Sequence, residues 1–185
     1  MFTWLNKRSD SRRKARELYG AVVTQARDPA FYRTLSVADT PEGRYELIAV
    51  HLILVLERLG RADVGDEELR REVLETFVTD MDDAMREMGV SDVRVPKNVK
   101  KAAGGVYARG VTYRDALGDG DNVRLQVALN EHVYRGTAPT GSTDLATYVR
   151  RAAAHLASEP ADALRAGRVT FPPVILAVGA RDEHP

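Results

Sequence analysis

The chain has 185 residues, with 27 basic and 27 acidic side chains and a formal net charge of zero at pH 7. That length suits one domain, or one domain with tails, and can bury a core without disulfide or metal staples. Apolar residues at 44% and charged residues at 29% fit a soluble globular chain; the balanced charge argues against a globally basic nucleic-acid binder, and the lack of cysteine excludes disulfides, Cys-ligated zinc, iron–sulfur clusters and thiol nucleophiles.

At the N-terminus, Phe2, Trp4 and Leu5 precede Lys7, Arg8, Arg12, Arg13, Lys14 and Arg16. The apolar part is too short for a signal peptide, and no apolar run in the chain is long enough to span a bilayer. Aromatics beside a polybasic run can rest on an anionic membrane, with Phe2, Trp4, Arg12 and Arg13 as contacts. The bland alternative, which the residues favour, is aromatics that cap the core and arginines that are solvated. On this basis residues 1–10 are expected to form a membrane-proximal N-terminal segment, 11–172 a helical domain and 173–185 a tail.

The dominant period is helical. Ala15, Leu18, Tyr19, Val22, Val23 and Ala26 follow i, i+3, i+4 spacing and predict a helix from Ser9 or Ser11 to Arg27, closed by Pro29. A short turn over Ala30–Leu35 follows. Thr40-Pro41-Glu42 is a strong start signal for a helix that stops at Gly60. It is apolar nearly all round from Leu47 to Leu56, which predicts a central, buried helix. Gly65 or Asp66 begins the next, with Glu67 and Glu68 at its positive end and Leu69, Val73, Phe77, Met81, Ala84, Met85 and Met88 on one stripe. Gly89 fits a left-handed stop. Pro96 restarts a helix to Leu117, in which Gly104-Gly105 predicts a kink or a close crossing. Further helices are expected over Asn122–Arg135, from a Thr143 cap to Ala157, and as one turn over Pro160–Ala166. Pro172-Pro173 marks an extended tail. The fold class is all-α: a single compact domain of about six or seven helices with a short extended C-terminal tail.

Few residues carry chemistry. His51 has Leu54 and Val55 at i+3 and i+4, so it reads as a core histidine bonded to a neighbouring element. His132, His155 and His184 lack metal spacing, and no metal site is expected. Asp80, Asp83 and Glu87 share a helix face, and carboxylates so placed can hold Mg²⁺ with substrate phosphates. A second acidic group is present only in Asp115, Asp119 and Asp121, so a solvated face with Arg86 nearby is favoured. Arg94, Lys97, Lys100 and Lys101 gather at the Pro96 helix start, where cations oppose the helix dipole. They read as a solvated cluster or as a contact for an anionic partner, ribosomal RNA or a membrane surface. Phe77, Met81, Met85 and Met88 are core at helical spacing, or else a contact for varied apolar partners.

Four segments in order carry a resemblance: ARELYGAVVTQARDPAFY from Ala15, DTPEGRYELIAVHLILVLERL from Asp39, FVTDMDDAMREMGVSDVRVPKNVKK from Phe77, continued through Tyr107 and Arg109 to Tyr113 and Leu117, and Gly167 to Pro172. They cover most of the chain, which resembles the ubiquinol–cytochrome c chaperone family. The resemblance implies an all-α assembly chaperone for the cytochrome bc1 complex, with no catalytic residues and no cofactor. Its mitochondrial members work with a small partner protein, bind near the ribosomal exit tunnel and hold newly made cytochrome b until haem is inserted. With Met1 followed by no transit-like extension, a bacterial member is expected, cytoplasmic and peripheral on the inner face of the cytoplasmic membrane. Its partners would be apo or assembling cytochrome b, with a ribosome contact and a small partner subunit left open. The expected partner-binding residues are Phe77, Met81, Met85, Met88, Arg94, Lys97, Lys100 and Lys101. The rival reading is a Mg²⁺-dependent all-α enzyme acting on an isoprenoid diphosphate through Asp80 and Asp83.

Overall fold

The computed structural model describes residues 2–175, with side chains from Ser9 onward. The expectations placed on the side chains of Phe2 and Trp4, and on His184, lie outside the described residues.

Eight helices and no strand are present among the described residues: α1 (Phe2–Ala26), α2 (Pro29–Arg33), α3 (Pro41–Leu59), α4 (Glu67–Glu87), α5 (Val95–Gly118), α6 (Asn122–His132), α7 (Gly141–Ser158) and α8 (Ala161–Arg165). α2 and α8 are single short turns, so six long helices define the domain. None among the described residues is long and apolar enough to cross a membrane.

Local sequence sets most of these boundaries. The Thr40 side chain accepts from the Gly43 amide and Pro41 occupies the first turn of α3, which removes two of the donors a helix start leaves unpaired. Asp66 accepts from the Leu69 amide at 2.9 Å and Glu67 and Glu68 complete the acidic first turn of α4. α4 ends at Glu87 and Gly89 has a φ of 77°, the left-handed conformation that glycine adopts without steric cost.

Three boundaries differ from the expected ones by more than two residues. α1 starts at Phe2, well before Ser9, because no glycine or proline interrupts residues 2–8. α6 stops at His132 rather than Arg135, since Arg135 and Gly136 both take positive φ and the Gly136 amide turns back to the Asn130 carbonyl at 2.7 Å. α7 starts at Gly141 with Thr140 before it and no side-chain cap, so Thr143 lies inside the first turn.

α3 is the axis of the fold. Glu46 through Val55 are all buried; α1, α4, α5 and α7 pack around them. Each of these helices offers one apolar stripe, and only α3 is covered on most sides, as its all-round hydrophobicity requires. Phe31, Tyr113 and Tyr148 fill the largest fully enclosed side-chain positions along with Phe77. The non-helical residues after α8 run back across α7: Val169 and Pro172 are buried and Phe171 packs on the core.

His51 shows how that last segment is held. One ring nitrogen lies 2.7 Å from the Leu47 carbonyl and the other 2.8 Å from the Tyr148 hydroxyl. The carbonyl can only accept, so the first nitrogen donates and the second accepts the tyrosine proton. The neutral ring sits edge-on to Phe31 at 5.5 Å and to Phe171 at 5.1 Å. Burial pushes its pKa down to about 4, because the charged form would lose its water and gain no counter-ion. His51 is thus a core histidine joining α3, α7 and the C-terminal segment.

Candidate partner surface

The sequence places its unusual residues at the corner between α4 and α5, and the structure divides them into an inner and an outer set. Phe77 is fully enclosed; its ring lies 6.3 Å from Tyr19 on α1 and 6.5 Å from Tyr45 on α3. Met81, on the same stripe, is also buried. Met85 is partly buried against the core and Met88 is 58% exposed. The stripe therefore begins as core and ends as surface, and only its last turn can meet a partner. Val93, not singled out by its spacing, is 90% exposed at the tip of the corner.

Arg94, Lys97, Lys100 and Lys101 are all exposed, and none makes a side-chain hydrogen bond or ion pair among the described residues. Arg94 holds the N-cap position of α5 without a capping bond, and the first turn has no acidic residue. The positive end of this helix thus carries cations where α3 and α4 carry Thr40, Glu42, Asp66, Glu67 and Glu68. Such a placement costs helix stability by a few tenths of a kcal/mol per charge or more.

The acidic residues facing the corner are partly committed. Tyr19 donates to Asp80 at 2.7 Å, and Arg86 donates to Asp82 and to Asp92. Asp119 pairs with Arg124, and Asp121 caps α6 through the Val123 amide, at the far end of α5. Asp80 and Asp83 therefore face no second acidic group across a cleft, and among the described residues no cluster of three or more His, Asp or Glu side chains could hold a metal ion. Arg12 and Arg13, the expected membrane contacts whose side chains are described, are exposed; Arg13 is engaged by Asp10 and Glu17, and Arg12 lies 3.6 Å from Glu72.

Behind the corner, α5 is fixed to α3 by a pair that local patterning does not reveal. Arg109 donates to both oxygens of Glu46, at 2.8 and 2.6 Å, with side chains 18% and 11% exposed. The guanidinium also lies 5.6 Å from the Tyr45 ring centre. Burial pushes the Glu46 pKa up, and Arg109 only partly offsets this. Gly105 makes room for the pair: a Cβ there would come within 2.6 Å of the Arg109 guanidinium and 3.1 Å of the Tyr45 hydroxyl. The expected close approach at Gly104-Gly105 thus falls on Gly105, and side chains make it. The sequence hint of the pair is a glutamate at the head of the apolar run of α3, which demands a partner when buried.

Farther along α5, Arg114 donates to Glu57 on α3 at 2.8 Å, and Tyr107 is 78% exposed. Nothing in these arrangements sets a nucleophile beside a base. The molecule is an all-α domain whose distinctive features are surfaces: a cationic, partly apolar corner, and open grooves along α3 and α5.

Comparison with known proteins gives that class its family. The family described as ubiquinol-cytochrome C chaperone matches residues 33–171, and the chain belongs to it. Among solved structures, the chain is similar to that described as the crystal structure of the Cbp3 homolog from Brucella abortus, with 31% sequence identity, a TM-score of 0.81, and coverage of 94% of this chain and 98% of that one. No curated protein matches.

Proposed function

We propose that the chain is a non-enzymatic assembly chaperone for the cytochrome bc1 complex, which binds newly made cytochrome b at the cytoplasmic face of the membrane. The observation that carries this reading is the family match over residues 33–171, together with a structural likeness spanning nearly both chains. The α4–α5 corner fits it. Unpaired Arg94, Lys97, Lys100 and Lys101 suit an anionic surface, and Met85 and Met88 offer adaptable apolar contact beside them. Phe77 and Met81 support the corner from inside. A ribosomal contact through the same cations and a small partner subunit are arms of the same reading.

The rival reading, a Mg²⁺-dependent enzyme using Asp80 and Asp83, has no observation in its favour: Asp80 is engaged by Tyr19, and the carboxylates lack a facing group. Deleting the gene in its host should lower cytochrome b and bc1 activity, and restoring the gene should return both. Normal assembly in the deletion strain would remove the reading.

A further inference from the structure

At the corner Phe77 and Met81 are closed off and the exposed apolar side chains are Met88 and Val93, whereas a chaperone for an apolar client needs a longer, concave apolar seat. The surface holds a better one elsewhere. A groove of about 530 Å³ runs between α3, the end of α5 and α7, over Leu54, Leu117, Ala153 and Leu156. A second, of about 290 Å³, runs between α3, α4 and α5, over Ile53, Leu56, Leu74 and Val106. Both are open to solvent, and they meet at Glu57 and Arg114, which line both. The walls are low because their side chains are small: Ala103 and Gly110 on α5, Ala153, Ala154 and Ala157 on α7.

Charge along this surface is one-sided. Arg58, Arg61, Arg70, Arg71, Arg114 and Arg150 line the two grooves, against only Glu57 and Glu67. Two of the arginines are internal ties: Arg58 is bonded to Asp63 and to the Leu156 carbonyl, and Arg150 to carbonyls at the end of α5. The others remain available. Arg61 makes no side-chain hydrogen bond or ion pair among the described residues. Arg70–Glu67 at 3.4 Å and Arg71–Glu75 at 3.5 Å are long, exposed pairs, of a kind that contributes little. Arg114 is 54% exposed and held only by Glu57. Tyr107, exposed on the rim of the smaller groove, has the flat apolar body and polar tip that recur at protein interfaces.

We propose that the two grooves form one docking trough for an apolar helix of a partner protein that carries acidic side chains along one edge; the proposal rests on the chaperone reading above. The helix lies with its apolar face on Leu56, Leu74, Leu117 and Ala153, which are only partly buried, with Ile53, Leu54 and Val106 closed beneath them, close against the alanine and glycine walls, in the helix-in-groove mode. Its acidic edge meets Arg61, Arg70, Arg71 and Arg114. The Arg114–Glu57 pair crosses the middle of the trough and exchanges its partner as the client carboxylate arrives. Because the seat is concave, a flat lipid surface cannot fill it, and a small anion can meet the arginines but leaves the apolar floor uncovered.

The probe is a pair of synthetic amphipathic peptides about 18 residues long, enough for five helical turns, with the same leucine face and either a glutamate or a lysine edge. Anisotropy with the full chain should give saturable binding of the glutamate-edged peptide and at least about tenfold weaker binding of the lysine-edged one. Ala103→Trp and Ala154→Trp fill the two grooves and should each weaken the first peptide by about tenfold or more at an unchanged unfolding midpoint. Arg61→Glu, at an exposed site outside the packing, should narrow the preference between the peptides, and it keeps the test sharp if a tryptophan variant fails to fold. Equal binding of both peptides, or binding untouched by the fillers and by Arg61→Glu, overturns the proposal. So does a wild-type dimer in light scattering that Ala154→Trp converts to monomer, which would assign the trough to a second copy of the chain. Peptide binding can fail while the deletion strain still loses the complex, and the reverse, so the two readings fail separately.

Discussion

Between α3 and α5, Glu46 and Arg109 are both largely shielded and meet in a two-pronged contact backed by Tyr45 and made room for by Gly105. At the start of α5, about two turns of helix carry Arg94, Lys97, Lys100 and Lys101 with no partner among the described residues. The same helix thus treats charge in opposite ways along its length. In the shielded region a charge is tolerated only because its counterpart is fixed opposite, since desolvation otherwise exceeds what attraction returns. At the exposed start, like charges gather where the helix dipole already disfavours them, and water makes that cost small. The first arrangement serves the fold; the second does nothing for it. A costly arrangement without structural benefit is where a binding role is worth seeking.

The largest test of this contrast removes one member of the shielded pair. Glu46→Ala leaves the Arg109 guanidinium without its counter-charge and should destabilise the protein by about 3 kcal/mol or more. Arg109→Ala should cost a similar amount, and the double variant less than the sum, because the two side chains act as a unit. Urea denaturation of the three variants measures this. A loss below about 1 kcal/mol for Glu46→Ala would mean that the pair is no better than a surface contact.

His51 sharpens the same contrast through pH. Its folded-state pKa is near 4, below the ordinary 6.5. Between those values the unfolded chain binds a proton that the folded one refuses, so the contribution of the neutral ring is full above about pH 6.5 and is lost as the pH falls toward 4. From pH 7 to pH 5 this amounts to about 2 kcal/mol. His51→Gln should flatten that part of the stability profile, even if it lowers stability at neutral pH. An acid limb as steep as in the wild type would show that the ring is not the group being protonated.

How far these features were legible in the sequence follows the range of the interactions. Thr40-Pro41, Asp66 and Gly89 act on their own neighbours, and each punctuates the helices where expected. His51 was readable as a core histidine because its i+3 and i+4 neighbours are Leu54 and Val55, although its partner Tyr148 lies 97 residues away. The Glu46–Arg109 pair spans 63 residues with no pattern of its own. The methionine stripe is one line in sequence, but the line turns from core to surface between Met81 and Met88, because only the first part faces α1 and α3. The trough was not legible at all: its floor comes from α3, which reads as uniformly buried, and its walls are small residues whose significance appears only when α4, α5 and α7 stand around them.

The smallest effect is the most informative about the exposed region. Lys97 lies in the first turn of α5, with Lys101 one turn further on. In Lys97→Glu, a carboxylate replaces an ammonium at the positive end of the helix and gains Lys101 as an i, i+4 partner. Both changes favour the helix, by about 0.5–1 kcal/mol together. The variant should therefore be slightly more stable than the wild type, a rise of a few degrees or less in a chain of this size. If the corner holds an anionic surface, the same variant should co-sediment less with ribosomes or with anionic vesicles at low salt, and added salt should erase the difference. Stability and binding then move in opposite directions, which a folding defect cannot produce. Greater stability with unchanged recovery across the salt series would leave the α5 cations as plain surface charge, and the contrast with the Glu46–Arg109 region would concern the fold alone.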